Sequence, residues 1–144
     1  MTTTSLPYQL FPLGDSAITV DYGNRIDEAL NREVLARFQQ FRHQQFPGFI
    51  EAVPAYSSLT VYYDPVFIRK LLPEGQTASE YTRARITEML SLAIPVEEQS
   101  SRLVRIPVCY DPSLSTDIES LAALKKISTD ELVLLHTERI YRVY

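Results

Sequence analysis

Two pairs of extended runs, each followed by helical segments, constrain the fold of this chain more than any other feature. The first pair is Tyr8 to Leu13 and Ala17 to Tyr22. In the second of these runs Ile18, Val20 and Tyr22 share one face, and Ala17, Thr19 and Asp21 the other. Alternation of period two marks a half-buried strand. Gly14-Asp15 between the runs is a turn signal, so the pair reads as a β-hairpin. Pro12 cannot donate to a ladder, which places the first strand at a sheet edge or ends it there. The second pair is Phe49 to Ala55 and Ser58 to Tyr63, with Leu59, Val61 and Tyr63 on one face.

Helical segments separate and follow these pairs. Asp27 is a good N-cap. Leu30, Val34, Phe38 and Phe41 follow at helical spacing, with Asn31, Arg32, Glu33, Arg37 and Gln39 polar between them. This predicts an amphipathic helix from Asp27 to Gln44, broken by Pro47-Gly48. Pro65 opens a short helix to Leu72, and Pro73 to Gln76 is a loop. Thr77 or Ser79 caps a helix running to Ala93, with Ile86, Met89, Leu90 and Ala93 as its apolar stripe.

Pro95 to Ser101 reads as a linker. Leu103 to Tyr110 then alternates like a strand, with Val104, Ile106, Val108 and Tyr110 on one face. Thr116 to Glu119 and Ser128 to Glu131 are capping-box patterns, and they open helices over Asp117 to Lys125 and Thr129 to Arg139. Tyr141 to Tyr144 begins another alternating run and stops in mid-strand. The fold class expected is α+β: a two-layer sandwich of a mostly antiparallel sheet with helices on one face. The expected division is a flexible tail over 1–7, a core domain over 8–95, and a strand-helix-helix extension over 96–144.

Composition excludes several functions. The 144 residues are 45% hydrophobic and 22% charged, an ordinary globular balance. The formal net charge is −4, and Lys125-Lys126 is the only basic pair, so no basic face is present to displace counterions from nucleic acid. The Thr/Ser-rich start, Met1 to Pro7, lacks the basic and apolar regions of a signal peptide. No apolar stretch approaches the roughly 20 residues that span a membrane. The expected compartment is the cytoplasm. A single cysteine, Cys109, allows no intramolecular disulfide.

Metal and nucleophile motifs are missing as well. The two histidines, His43 and His136, and one cysteine are too few and too far apart for a zinc site. Cys109 reads as a small strand residue rather than as a nucleophile paired with His136. There is no G-x-S-x-G elbow, P-loop or G-x-G-x-x-G among the four glycines. Gly14-Asp15-Ser16 offers a tight turn with a carboxylate, or simply a hairpin turn. The nine tyrosines suit a pocket mouth or interface, and equally a half-buried sheet. His136 follows the apolar run Leu132 to Leu135 at a helix end, where an imidazole is satisfied locally or serves a site.

Five segments, taken in order, carry a resemblance. They are Phe11 to Ala17 (FPLGDSA), Val53 to Leu59 (VPAYSSL), Tyr63-Asp64-Pro65, Ile106 to Tyr110 (IPVCY), and Leu135-His136 through Tyr141 to Tyr144 (YRVY). At these separations the chain resembles the KipI/PxpB family, also described as allophanate hydrolase subunit 1-like or carboxyltransferase subdomain C/D. The resemblance covers the chain from Tyr8 on and matches the family's N-terminal domain. It implies a following cyclophilin-like β-barrel domain that this sequence lacks, and hence a separated domain or truncated product.

The resemblance implies two activities. PxpB-like proteins act with PxpA- and PxpC-like subunits as an ATP-dependent 5-oxoprolinase that opens 5-oxo-L-proline to L-glutamate. KipI-like proteins inhibit a sporulation sensor histidine kinase and are countered by a KipA-like antagonist. It further implies that Gly14, Asp15, Ser16, Tyr56, Ser58, His136, Tyr141 and Arg142 lie near any shared cleft. Asp15 and His136 are its candidates for proton handling or substrate orientation, and Arg142 for an anionic group. It implies no metal and no cofactor bound by this domain itself, ATP being used by the complete complex, and an isolated chain without activity.

Overall fold

Gly14 turns the first hairpin. Its φ of +65° lies in the left-handed region that side chains disfavour. The Leu13 N–H donates to the Ala17 carbonyl at 2.8 Å across the turn. The flanking strands are β1 (Gln9–Pro12) and β2 (Ala17–Asp21). In this computed structural model, which describes residues 6–93 and 102–143, two later strands join them, β3 (Phe49–Pro54) and β4 (Ser58–Tyr63). The sheet order is β1-β2-β4-β3, and every neighbouring pair is antiparallel. Pro12 therefore sits on an edge strand, where its missing N–H removes nothing from the ladder.

Register decides which face is buried. Leu10 opposes Val20, Val20 opposes Leu59, Ile18 opposes Val61, and Val61 opposes Ala52. Directly paired residues share a face, so these side chains form one apolar surface. Among the described residues, three helices complete this first unit: α1 (Glu28–His43), α2 (Pro65–Leu71) and α3 (Ala78–Ser91). Helix α1 lies against β3 and β4, and α3 against β2. Val34, Phe41, Ile68, Ile86 and Leu90 from the helices join Ile18, Val20, Leu59, Val61 and Tyr63 in a single core. Each buried aliphatic side chain of this kind contributes about 1.5–3 kcal/mol over leaving it exposed. The expected α+β sandwich, with an antiparallel sheet and helices on one face, is the fold observed.

The helix starts follow the capping residues. Asp27 accepts from the Leu30 N–H at 3.0 Å, and Asp64 accepts from Val66 and Phe67 at 2.9 Å. Thr77, rather than Ser79, caps α3 in a full capping box with Glu80. Ala93 lies beyond the end of α3 and is exposed, so the buried stripe of that helix stops at Leu90.

Two residues assigned to the polar face of α1 are in fact buried. Asn31 and Arg37 are 2% and 3% exposed. Their positions explain this: Asn31 precedes Val34 by three residues, and Arg37 precedes Phe41 by four, so both border the apolar stripe. Burial is tolerated because each is hydrogen-bonded. Arg37 donates to Glu33 at 2.9 Å, to Gln40 at 3.0 Å, and to the Met89 and Leu92 carbonyls at the end of α3. It thus stitches α1 to the C-terminus of α3. Burial pushes the phenol of Tyr22 above its ordinary range, with the Glu33 carboxylate adding to the rise and Arg37 opposing it.

The second unit begins at Ser100 and runs to Val143. It carries α4 (Ile118–Lys125) and α5 (Thr129–Thr137). Asp117, not Thr116, is the N-cap of α4, and its side chain makes no capping bond. Lys126 ends α4 in the left-handed conformation, at φ 59°. Ser128 caps α5 by accepting from the Glu131 N–H at 3.1 Å, and the helix stops at Thr137, short of Arg139.

The strand expected over Leu103 to Tyr110 does not form, and neither does one over the described residues Tyr141 to Val143. Alternation yields a strand only where a neighbouring strand completes the ladder, and Pro107 removes one donor from this run besides. The expected tail and linker, residues 1–5 and 94–101, and Tyr144 lie outside the described residues. Among the described residues no helix is long and apolar enough to cross a membrane.

Candidate functional site

The face of the sheet away from the helices carries Phe11, Thr19, Asp21, Ser58 and Thr60. The Thr19 and Thr60 hydroxyls bond each other at 3.0 Å across β2 and β4. At the end of this face where Asp21 opposes Ser58, an open hollow of about 460 Å³ is lined by Phe11, Pro12 and Leu13 on its apolar side. Asp21, Asn24, Tyr56 and Ser58 provide its polar groups.

The β3–β4 turn that supplies Tyr56 is fixed from three directions. Ala55 N–H donates to the Ser58 carbonyl at 2.8 Å, and Tyr22 N–H donates to the Ser57 carbonyl at 3.1 Å. From α1, the Asn31 amide donates to the Tyr56 and Ala55 carbonyls at 3.3 and 3.5 Å. The Tyr56 hydroxyl donates to the Asn24 side-chain oxygen. Asn31 and Asn24 escape a search for catalytic residue types. The legible signal was the place of Asn31 beside the apolar stripe of α1.

Gly14, Asp15 and Ser16 are exposed or backbone-held and sit elsewhere on this unit. The Ser16 carbonyl accepts from the Tyr63 N–H at 2.9 Å, at the far end of β4 from Ser58. The five-residue strand β2 therefore separates the Gly14 turn from the Tyr56 turn. Of the expected residues in this unit, Tyr56 and Ser58 line the hollow, whereas Gly14, Asp15 and Ser16 form the opposite turn. Among the described residues, Asp21 is the only charged side chain lining the hollow. Its chemistry is hydrogen bonding from hydroxyl and amide groups beside an aromatic and aliphatic wall, with no described cation to neutralise a carboxylate or phosphate.

The second unit gathers a separate aromatic cluster. His136 lies in the last turn of α5. Its Nδ1 is hydrogen-bonded to the Tyr110 hydroxyl. The two rings meet edge to face with centroids 5.9 Å apart, and the Tyr141 ring lies 5.5 Å from the imidazole. The chain leaving Tyr110 is held by a tight turn. Ser113 donates to Asp111 through its hydroxyl at 2.5 Å and its N–H at 2.8 Å, and these bonds hold the Asp111 carboxyl below the usual range. His136 and Tyr141, both expected, are thus in contact, and Tyr110 is a third member outside the expected set. Arg142 is exposed. Cys109 is a free, exposed thiol.

The fold, and the order of the segments that build these two places, define a carboxyltransferase-type domain. The family model of the carboxyltransferase domain, subdomain C and D, matches residues 8–144, and the chain belongs to that family. It is 38% identical over 138 residues to a 5-oxoprolinase subunit, the PxpB-type one, of Bacillus subtilis (strain 168). That match takes in 95% of this chain but only 58% of the relative. Among solved structures, the N-terminal domain of the histidine kinase inhibitor KipI from Bacillus subtilis is 39% identical with a TM-score of 0.51. It covers 62% of this chain and 89% of that one. The crystal structure of TTHA0988 is 29% identical with a TM-score of 0.66, covering 89% of this chain and 23% of that chain.

Proposed function

We propose that this chain is the N-terminal part of a PxpB-type 5-oxoprolinase subunit. With PxpA- and PxpC-like partner subunits it supports the ATP-dependent opening of 5-oxo-L-proline to L-glutamate in the cytoplasm. The observation that carries this reading is the 38% identity to a 5-oxoprolinase subunit, which spans both units of the chain rather than one. Local chemistry supports a contributing rather than a self-sufficient role. Among the described residues the hollow has hydroxyl and amide groups but no cation, so the substrate carboxylate and the phosphates of ATP require cations from elsewhere in the complex.

One observation favours a second reading, that of a module inhibiting a sensor histidine kinase by protein–protein binding. The similarity to the KipI inhibitor domain supports it. So do Phe11, Leu13 and Val53, which remain 45–53% exposed in the first unit. Recovery of tagged protein from its native cells, with bound proteins identified by mass spectrometry, separates the two. PxpA- and PxpC-like subunits support the enzyme, a histidine kinase supports the inhibitor, and neither class would overturn both.

A further inference from the structure

The two ring nitrogens of His136 are not equivalent. Nδ1 is engaged by the Tyr110 hydroxyl, while Nε2 is the nitrogen left for a ligand. Contacts with the Tyr110 and Tyr141 rings restrict rotation of the imidazole about that bond. The direction of the bond follows from acidity. A phenol is a far stronger acid than the N–H of a neutral imidazole, and an imidazole lone pair is a better acceptor than a phenol oxygen. The Tyr110 O–H therefore donates to Nδ1, and the single ring hydrogen of neutral His136 resides on Nε2. If the ring is protonated, both nitrogens carry hydrogen and Nε2 is a donor again.

We infer that Tyr110 is a positioning residue that fixes His136 with Nε2–H presented as a hydrogen-bond donor, not as a base, toward an oxygen of the substrate. The identity of that oxygen rests on the function proposed above: it is the lactam carbonyl of 5-oxoproline. Negative charge grows on a carbonyl oxygen as an amide is attacked, and a preorganised donor there stabilises the transition state. His136 makes a hydrogen bond and transfers no proton, so no bond forms or breaks at it. Sequence reading left proton handling and substrate orientation open for this residue, and the engaged Nδ1 selects the second.

Long-range 1H–15N spectra of the 15N-labelled chain at about pH 8.5, where an ordinary imidazole is neutral, read each tautomer directly. His43, exposed at the end of α1, is the internal reference. His136 is expected in the Nε2–H form alone, and Tyr110→Phe is expected to return it to the mixture shown by His43. A dominant Nδ1–H form in the unsubstituted chain, or a mixture unaltered by Tyr110→Phe, overturns the inference. Should Tyr110→Phe fail to fold, the spectrum of the unsubstituted chain decides alone. In an active complex, His136→Ala is expected to lower kcat by about 100-fold with KM little changed, as for loss of one oxyanion donor. Unchanged kcat overturns the assigned role. An inactive complex together with a pure Nε2–H tautomer sinks the proposed reaction and supports the positioning by Tyr110.

Discussion

The first unit completely buries Ile18, Val20, Leu59, Val61 and Ile86, whereas Ala122 is the one buried residue among those described in the second. Both stretches carry similar signals: alternating runs, capping residues and helical apolar spacing. The difference is partnership. In the first unit every alternating run finds an antiparallel neighbour, and the helices cover the resulting apolar face. In the second, Leu103, Val104, Ile106 and Val108 remain 52–77% exposed, and no ladder forms over their run. Periodicity is a property of one segment, while a strand is a property of two.

The sharpest way to break this comparison is to remove similar volumes from both units. Ile86→Ala empties a fully buried site and is expected to cost about 2–5 kcal/mol in urea unfolding. Leu124→Ala, at a position 76% exposed, is expected to change stability by less than about 0.5 kcal/mol. Comparable losses from the two substitutions would mean that the second unit has a core of its own.

A smaller effect sharpens the comparison at the helix caps. Thr77→Ala removes half of the capping box of α3 and is expected to cost about 1 kcal/mol. Ser128→Ala removes the cap of α5 and is expected to loosen that helix without moving the unfolding midpoint of the first unit. The Thr77 cap also has a pH signature. Hydrogen bonds from the Thr77 N–H and then its hydroxyl hold Glu80 below its ordinary 4.5. A depressed carboxyl stabilises the fold above its unfolded value and loses that contribution as pH falls through the folded one. Stability is thus expected to fall in acid below 4.5, and less steeply in Thr77→Ala. Identical acid limbs in urea midpoints measured across that range would remove Glu80 from the account.

Much of the first unit was legible because its signals were local and mutually consistent. Pro12 announced an edge strand, Asp27 and Thr77 announced helix starts, and Leu59-Val61-Tyr63 announced a buried face. What sequence missed required knowledge of a second element. Arg37 reads as a solvated cation until the carbonyls at the end of α3 come within its reach. Leu103 to Tyr110 reads as a strand until no neighbour appears. The candidate site divides in the same way. Tyr56 and Ser58 are brought to one hollow by β2–β4 pairing, while the same register carries Gly14, Asp15 and Ser16 to the other end. Tyr110 acquires its role only through His136, 26 residues away.

The central claim is that this protein belongs to an oxoprolinase. Its most direct test is L-glutamate release from 5-oxo-L-proline, with ATP, by PxpA- and PxpC-like subunits assembled with and without it. The account expects turnover that needs the protein together with both partner subunits, and none from the isolated chain. Turnover by the partners at the same rate without it would contradict the claim.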